Sequence, residues 1–598
     1  MRENAERTWV WPSVTAVAAL VLVTGCVPIG QQGDAESGGE QESRQTVAPT
    51  PQSDDAREDE NQDDDAEREG ASGDDTAEDG SPSFEAGVRI EETVWLDSAE
   101  VTVVAEVGPI VRDGDLAVLP MVMERQGSAE VALQDLLDIG AGAVEGDSFE
   151  QGSDVRLIDT QRMTTSLPAV FVGDQVDGNM ALSASAWLQD DLEDGRSVTV
   201  HEVFAAPESE EVHVMLRRLG VAADVPVIEG PLDSVPTTEQ IVDGNEELWL
   251  DDETWDVGDV QARVETLESY RHDVAERIGR LESEEQSVVQ LSSDVLFDID
   301  ESELSAEAED VLQDVEVELD GVDGGDLRIV GHTDDVLDQD YNQSLSEARA
   351  EAVRDRLSGL IDFSIFDDVA TEGRSFDEPI ATNETEAGRA QNRRVELHFT
   401  PTGEAPESDE IDRQLPDAPG AQASHPDPVT IELDDGYEIA VDSVTALDGV
   451  LVGRVTVRGD GPFYDALNFF YADAGPRGLA HDDVVEQNHW TAYGPTLLSE
   501  GQRHYPLDYH LTPLDGGSLE QELADEGVDY IVPLAERDVW PGGDSADAYY
   551  TATIVWPDVG DEEVVVDLGF PQDYEPQADG LAYETVWRIT DVTVEEME

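Results

Sequence analysis

The stretch GHTDDVLDQDYNQSLSEARA, residues 331–350, gathers residue types that could do chemistry. It holds His332, the loop carboxylates Asp334, Asp335, Asp338 and Asp340, and Arg349 in a segment patterned as a helix. Three kinds of chemistry compete for it. Four Asp in a loop could take calcium, but an EF-hand needs Gly at its sixth position and Glu at its twelfth, and neither stands here. His332 could be a metal ligand or a base; with no second His or Cys nearby, a strand-end His bonded to backbone is the simpler reading. The third possibility is that particular charges in the stretch are set to hold a ligand.

Composition decides how much weight an acidic loop deserves. The 598 residues include 140 acidic and 32 basic ones, for a formal net charge of −108. Every basic residue is Arg; the sequence contains no Lys. Coding bias depletes Lys, and adaptation to salt favours acidic surfaces whose self-repulsion is screened once the Debye length falls to about 3 Å at 1 M. An isolated acidic run therefore has little value as a motif. The charge excludes nucleic acid, whose phosphates need clustered basic residues, and it opposes docking on anionic lipid.

The elements that must position the stretch are legible. VVQLSSDVLFDID reads as a strand ending at Phe297-Asp298. Leu304, Ala308, Val311, Leu312, Val315 and Leu319 mark an amphipathic helix. DLRIVGHTD is a second strand, and Asn342 opens a second helix with Leu345, Ala348, Ala352, Val353 and Leu357 on its inner face. GRAQNRRVELHF leads into a last strand. The order βαβα–β fits a small mixed sheet with helices on one face.

GHTD, the run from Asn342 to Val353 and PIATNETEAGRAQNRRVEL resemble the OmpA-like peptidoglycan-associating domain. Three separated motifs occur in order over about 110 residues, under a fifth of the chain. The resemblance implies that Asp334 and Arg349 grip the diamino acid of the peptidoglycan stem peptide. The chemistry suits a zwitterion: a carboxylate accepts from its ammonium and a guanidinium forks onto its carboxylate. Asn342 would cap its helix, where exposed N–H groups favour an anion. The resemblance also puts Phe297, Asp298 and Arg393 beside the groove. One departure lies in the loop, where the family often carries Gly and this chain reads Asp335-Val336-Leu337-Asp338.

The rest of the chain supplies a frame. Residues 1–26 read as a secretory signal whose apolar run is too short to span a bilayer, and Val23-Thr24-Gly25-Cys26 resembles a bacterial lipobox. Cys26, the single cysteine, would then be acylated and anchored to a membrane. Residues 27–84 form an acidic linker that cannot bury a core. Period-two patterns over 85–228 and 428–598 predict antiparallel Ig-like β-sandwiches, with Pro-rich acidic linkers at 229–257 and 401–427. The two β regions look like distant copies: Asp113-Gly114 answers Asp448-Gly449, and Pro207 answers Pro557. Val260, Val264, Leu267, Val274, Ile278 and Leu281 follow 3–4 spacing and predict a helix over 258–287, marginal as a coiled coil.

The expected protein is multidomain, with a central α/β domain at 288–400 between two β-sandwiches. It is expected to be a lipid-anchored, extracytoplasmic cell-envelope protein that holds peptidoglycan non-covalently. No metalloprotease, nucleophile-elbow, Walker or CxxC signature is present, so no enzyme activity, cofactor or metal is expected. The alternative is a module that localises a wall-associated enzyme or assembly factor whose work is done by the β regions, to which the sequence assigns no partner.

Overall fold

The computed structural model describes residues 87–96, 99–127, 134–137, 153–171, 180–182, 196–232, 234–245, 257–283, 286–319, 322, 324–381, 383, 385–400, 420–431, 436–459, 491–512, 531–536, 548–568 and 586–597. Cys26, its leader and the acidic 27–84 segment lie outside these. No described helix is long and apolar enough to cross a membrane.

The central region forms the expected mixed sheet. Strand Asp326–Gly331 lies between Asp368–Gly373, parallel to it, and Arg394–Phe399, antiparallel. Ser287–Ser292 pairs on the far side of Arg394–Phe399. Helices Ala308–Glu318 and Gln339–Leu357 bury Val311, Leu312, Val315, Ala350, Val353 and Leu357 in one cluster with Val289, Leu291, Leu327, Ile329, Val395 and Leu397. The buried face of the second helix differs from the apolar pattern. It runs Asn342, Ser346, Arg349, Ala350, Val353, Leu357, while Leu345 and Ala348 are only half-buried.

Residues 258–287 are not a helix. Val260–Asp273 is a strand of 14 residues that turns back through Ile278–Glu282. Its inward positions are Arg263, Glu265 and Leu267, at period two, while Val264 is 51% exposed. The apolar 3–4 spacing misled because two inward residues are charged. Arg263 donates to the Thr512 carbonyl at 2.9 Å, and Glu265 accepts from the Thr512 N–H at 2.9 Å and its hydroxyl at 2.8 Å. Neither expected linker is structureless throughout: Thr238–Asn245 is a helix with Ile241 and Val242 buried, and Ala421–Ser424 pairs with Trp587–Glu596.

That long strand also changes the domain picture. It pairs with Thr164–Phe171 of the first β region and with Gln502–His504 and Asp508–His510 of the last. One sheet consequently runs from Asp368–Gly373 through the central strands and Val260–Asp273, then on through Gln502–His504, Thr496–Ser499, Glu563–Leu568 and Trp587–Glu596. The flanking regions are β, as expected, but they are joined to each other and to the centre rather than closed into separate domains. Arg156, 1% exposed, donates to the Ala535 carbonyl at 3.1 Å, and the Arg218 N–H donates to Glu536 Oε1 at 2.9 Å.

The pairing order recurs in the two β regions. Leu116–Gln126 pairs antiparallel with Ser197–Ala205, and Val450–Gly459 with Ala548–Pro557. Glu211–Leu216 precedes and pairs with Gly220–Glu229, as Glu563–Leu568 does with Trp587–Glu596. Each last strand then lies parallel to the residues leading into the Asp-Gly turn, 110–112 in one region and 444–446 in the other. Gly114 and Gly449 supply the positive φ these turns need, at +73° and +94°.

Candidate functional site

Two close approaches set the position of the helix that carries Arg349. Gly331 and Gly373 are register partners at the ends of parallel strands. A Cβ on Gly331 would meet the Ser346 carbonyl oxygen at 2.2 Å, and one on Gly373 would meet the Glu347 nitrogen and Ser346 Oγ at 2.5 Å. The helix backbone thus rests on both strand ends. Gly331→Ala is expected to push it away, at a cost of about 1–3 kcal/mol, and to weaken ligand binding with it. Chemical unfolding of the variant beside a binding assay checks this; an unchanged midpoint and affinity would refute the packing argument.

Asp338 caps the helix, accepting from the Tyr341 N–H at 3.2 Å. Asn342 therefore does not cap. It is buried, and its amide donates to the carbonyls of Asp334 and Leu337, both at 3.1 Å. Asn342 thereby clamps the loop in which the family's Gly is replaced. Within that loop Asp334 Oδ1 accepts from the Val336 N–H at 3.2 Å. His332 is 1% exposed, and among the described residues its ring bonds to no backbone group; Nε2 lies 3.4 Å from Glu396 Oε2 without hydrogen-bond geometry. Burial pushes the Glu396 carboxyl up, yet Arg394, His332 and His398 together hold it well below its ordinary range.

Arg393 and Arg394 divide the work. Arg394 is buried and donates to Glu396 at 2.6 Å, a structural pair. Arg393 donates from Nη1 to Asp334 Oδ2 at 2.7 Å. Its other N–H groups go to Asp294, at 2.8 and 2.7 Å, and to Glu386 at 3.0 Å. Its fork is filled, so it positions Asp334. The bond to Asp294, followed by those to Asp334 and Glu386, raises its pKa above the ordinary value.

Arg349 stands in contrast. It is 4% exposed, and its Cζ sits 5.1 Å from the Phe297 ring centroid. Among the described residues its only side-chain hydrogen bond runs from Nε to the Glu301 carbonyl at 3.1 Å, and no described carboxylate forms an ion pair with it. Burial pushes its pKa below the ordinary value, while the charges of Asp294, Asp300 and Asp334 act to raise it. The structure thus gathers Asp334, Asn342, Arg349, Arg393 and Phe297. Asp298 lies exposed on the turn after Phe297, accepting from the Glu301 N–H through its backbone at 3.0 Å.

Sequence reasoning missed Asp294, Glu386 and the Glu301 carbonyl. Their only signal was an Arg-Arg pair before a strand in a chain rich in acid.

Fold and site together define a binding module: a mixed sheet with helices packed on it and two arginines in opposite states, one saturated and one open. The OmpA family matches residues 296–393. Outer membrane protein A of Bordetella avium is 38% identical over 113 residues, 19% of this chain and 56% of that protein. The outer-membrane lipoprotein YfiB of Pseudomonas aeruginosa is 38% identical over 109 residues, 18% of this chain and 62% of that protein. YfiB of Escherichia coli K12 is 35% identical over 112 residues, 18% of this chain and 68% of that protein. The chain thus spans less than two thirds of the first two relatives. It belongs to the OmpA family through this segment.

Proposed function

We propose that the chain is a cell-envelope protein that holds peptidoglycan non-covalently through its OmpA-family module. Arg349 would take the carboxylate of the stem-peptide diamino acid, and Asp334 its ammonium. The observation that carries this reading is Arg349 itself. In a chain with 140 acidic residues, an arginine 4% exposed and without a carboxylate partner among the described residues is suited to take the anion of a ligand. Leaving a buried charge unpaired is costly, and a ligand carboxylate repairs it bidentately.

Asp334 is offered differently. Arg393 holds one of its oxygens, which aims the carboxylate. Asn342 fixes the loop around it. Phe297 stacks under Arg349 and stiffens it. These parts bind and orient, and the reading is of a binding protein. Two relatives are named as lipoproteins or outer-membrane proteins, which supports an envelope location. Acylation of Cys26 would add a second grip, and two weak grips on one chain reinforce each other through effective concentration.

The test is co-sedimentation of the whole chain with purified peptidoglycan. Asp334→Ala and Arg349→Ala are each expected to move it to the supernatant, and free stem peptide carrying the diamino acid is expected to compete with wild type. Full retention of both variants would remove the site assignment.

A further inference from the structure

Far along the chain from the module, His213, Asp224 and Asp448 place an imidazole and two carboxylates within 4.8 Å of one another. We propose that these three residues form a site for a divalent transition-metal ion of the zinc class, stapling the first β region to the last.

The ligands come from separate elements. His213 is in strand Glu211–Leu216, and Asp224 sits in a bulge of Gly220–Glu229, where the register shifts between Ala222 and Val225. Asp448 is in the turn joining Tyr437–Leu447 to Val450–Gly459. Both aspartates have positive φ, +53° and +29°, which non-Gly residues rarely adopt. Leu447 and Val450, on either side of the turn, pack in one cluster with Ile158, Met215 and Ala223, so the approach of the two regions here is built into a core.

The histidine is prepared for a metal. Its side chain is 5% exposed, with Nδ1 3.8 Å from Asp224 Oδ1. Nε2 lies 3.4 Å from the Thr160 hydroxyl; donation from Nε2–H to that oxygen leaves the Nδ1 lone pair toward the carboxylates, the outer contact a metal-bound His ordinarily makes. That lone pair now accepts from the Asp224 N–H at 3.2 Å, a bond an ion would replace. Burial pushes the imidazole below its ordinary pKa, against the opposing charges of Asp224, Asp448, Glu211 and Asp159. Those same four carboxylates make the surroundings negative.

The geometry is close to closing. An ion at the centre of a 4.8 Å triangle lies within about 2.8 Å of each corner, and a shift of at most about 0.6–0.8 Å gives the ~2.0–2.2 Å bonds of zinc to nitrogen and oxygen. Asp224 and Asp448 are exposed, so water completes the shell. The imidazole also selects. Calcium and magnesium prefer all-oxygen shells, which this chain offers everywhere on its surface; a nitrogen ligand favours zinc, nickel or cobalt.

The experiment is calorimetric titration of the whole chain with Zn2+ in excess Mg2+, which occupies the general acidic surface. Wild type is expected to show one tight site above the background. His213→Ala is expected to lose it, and Asp448→Asn to weaken it at least tenfold. Should His213→Ala fail to fold, as judged by circular dichroism, Asp448→Asn on its exposed turn decides alone. Equal Zn2+ binding in wild type and Asp448→Asn, or no tight site in wild type, would overturn the proposal.

Discussion

Asp567→Ala is expected to destabilise the joined β regions by about 3–5 kcal/mol. Asp567 is fully buried in strand Glu563–Leu568. It accepts two bonds from Arg588, at 2.9 and 2.7 Å, and another from Arg503. Arg588 is 3% exposed, and Arg503 also donates to Thr496 at 2.5 Å. Truncation would take from two buried guanidinium groups the carboxylate they share, which costs far more than losing a surface pair would. Asp567→Asn keeps the shape and some of the bonds, so its loss should be smaller. Urea unfolding followed by tryptophan fluorescence measures both. A loss under about 1 kcal/mol for the alanine variant would mean that water reaches the site and solvates the arginines.

The position matters as much as the magnitude. Arg503 lies in Gln502–His504, the strand that pairs with Val260–Asp273, and that strand leads by hairpin into the sheet of the OmpA-family module. A defect at Asp567 therefore sits within the same continuous sheet as the binding site. The module is braced by the β regions; it does not hang from them on a tether.

This bracing was the part least legible in sequence. The module announced itself because its signals are local: GHTD at a strand end, helix periodicity after it, and an Arg pair before the last strand. The bracing strand depends on partners about a hundred residues before it and more than two hundred residues after it. Arg263 and Glu265 look like solvent-facing charges until Thr512 is placed beside them. With those two read as outward, the remaining apolar residues fall on a helical spacing. In the site, the residue types were legible but their states were not. Arg349 and Arg393 are both arginines in motif positions, and only the fold decides that Asp294, Glu386 and Asp334 fill one while the other stays open.

The open state of Arg349 leads to the second large effect. Arg349→Lys, which preserves charge, is expected to weaken peptidoglycan binding about 10- to 150-fold, or roughly 1.5–3 kcal/mol. The guanidinium already uses Nε on the Glu301 carbonyl and its face on Phe297, leaving its terminal N–H groups for a ligand carboxylate. An ammonium gathers its donors at one point. It cannot hold Glu301, stack on Phe297 and fork onto a carboxylate together. Salt separates this from a general attraction. The chain's charge of −108 repels the carboxylates of the wall, and that repulsion is screened as ionic strength rises, whereas a contact at a residue 4% exposed is screened much less. Wild-type retention on peptidoglycan should therefore rise between 0.1 and 1 M salt. The lysine variant should remain weaker throughout. Equal retention of Arg349→Lys and wild type across that range would show that position 349 contributes only a positive charge, and the bidentate assignment would fall.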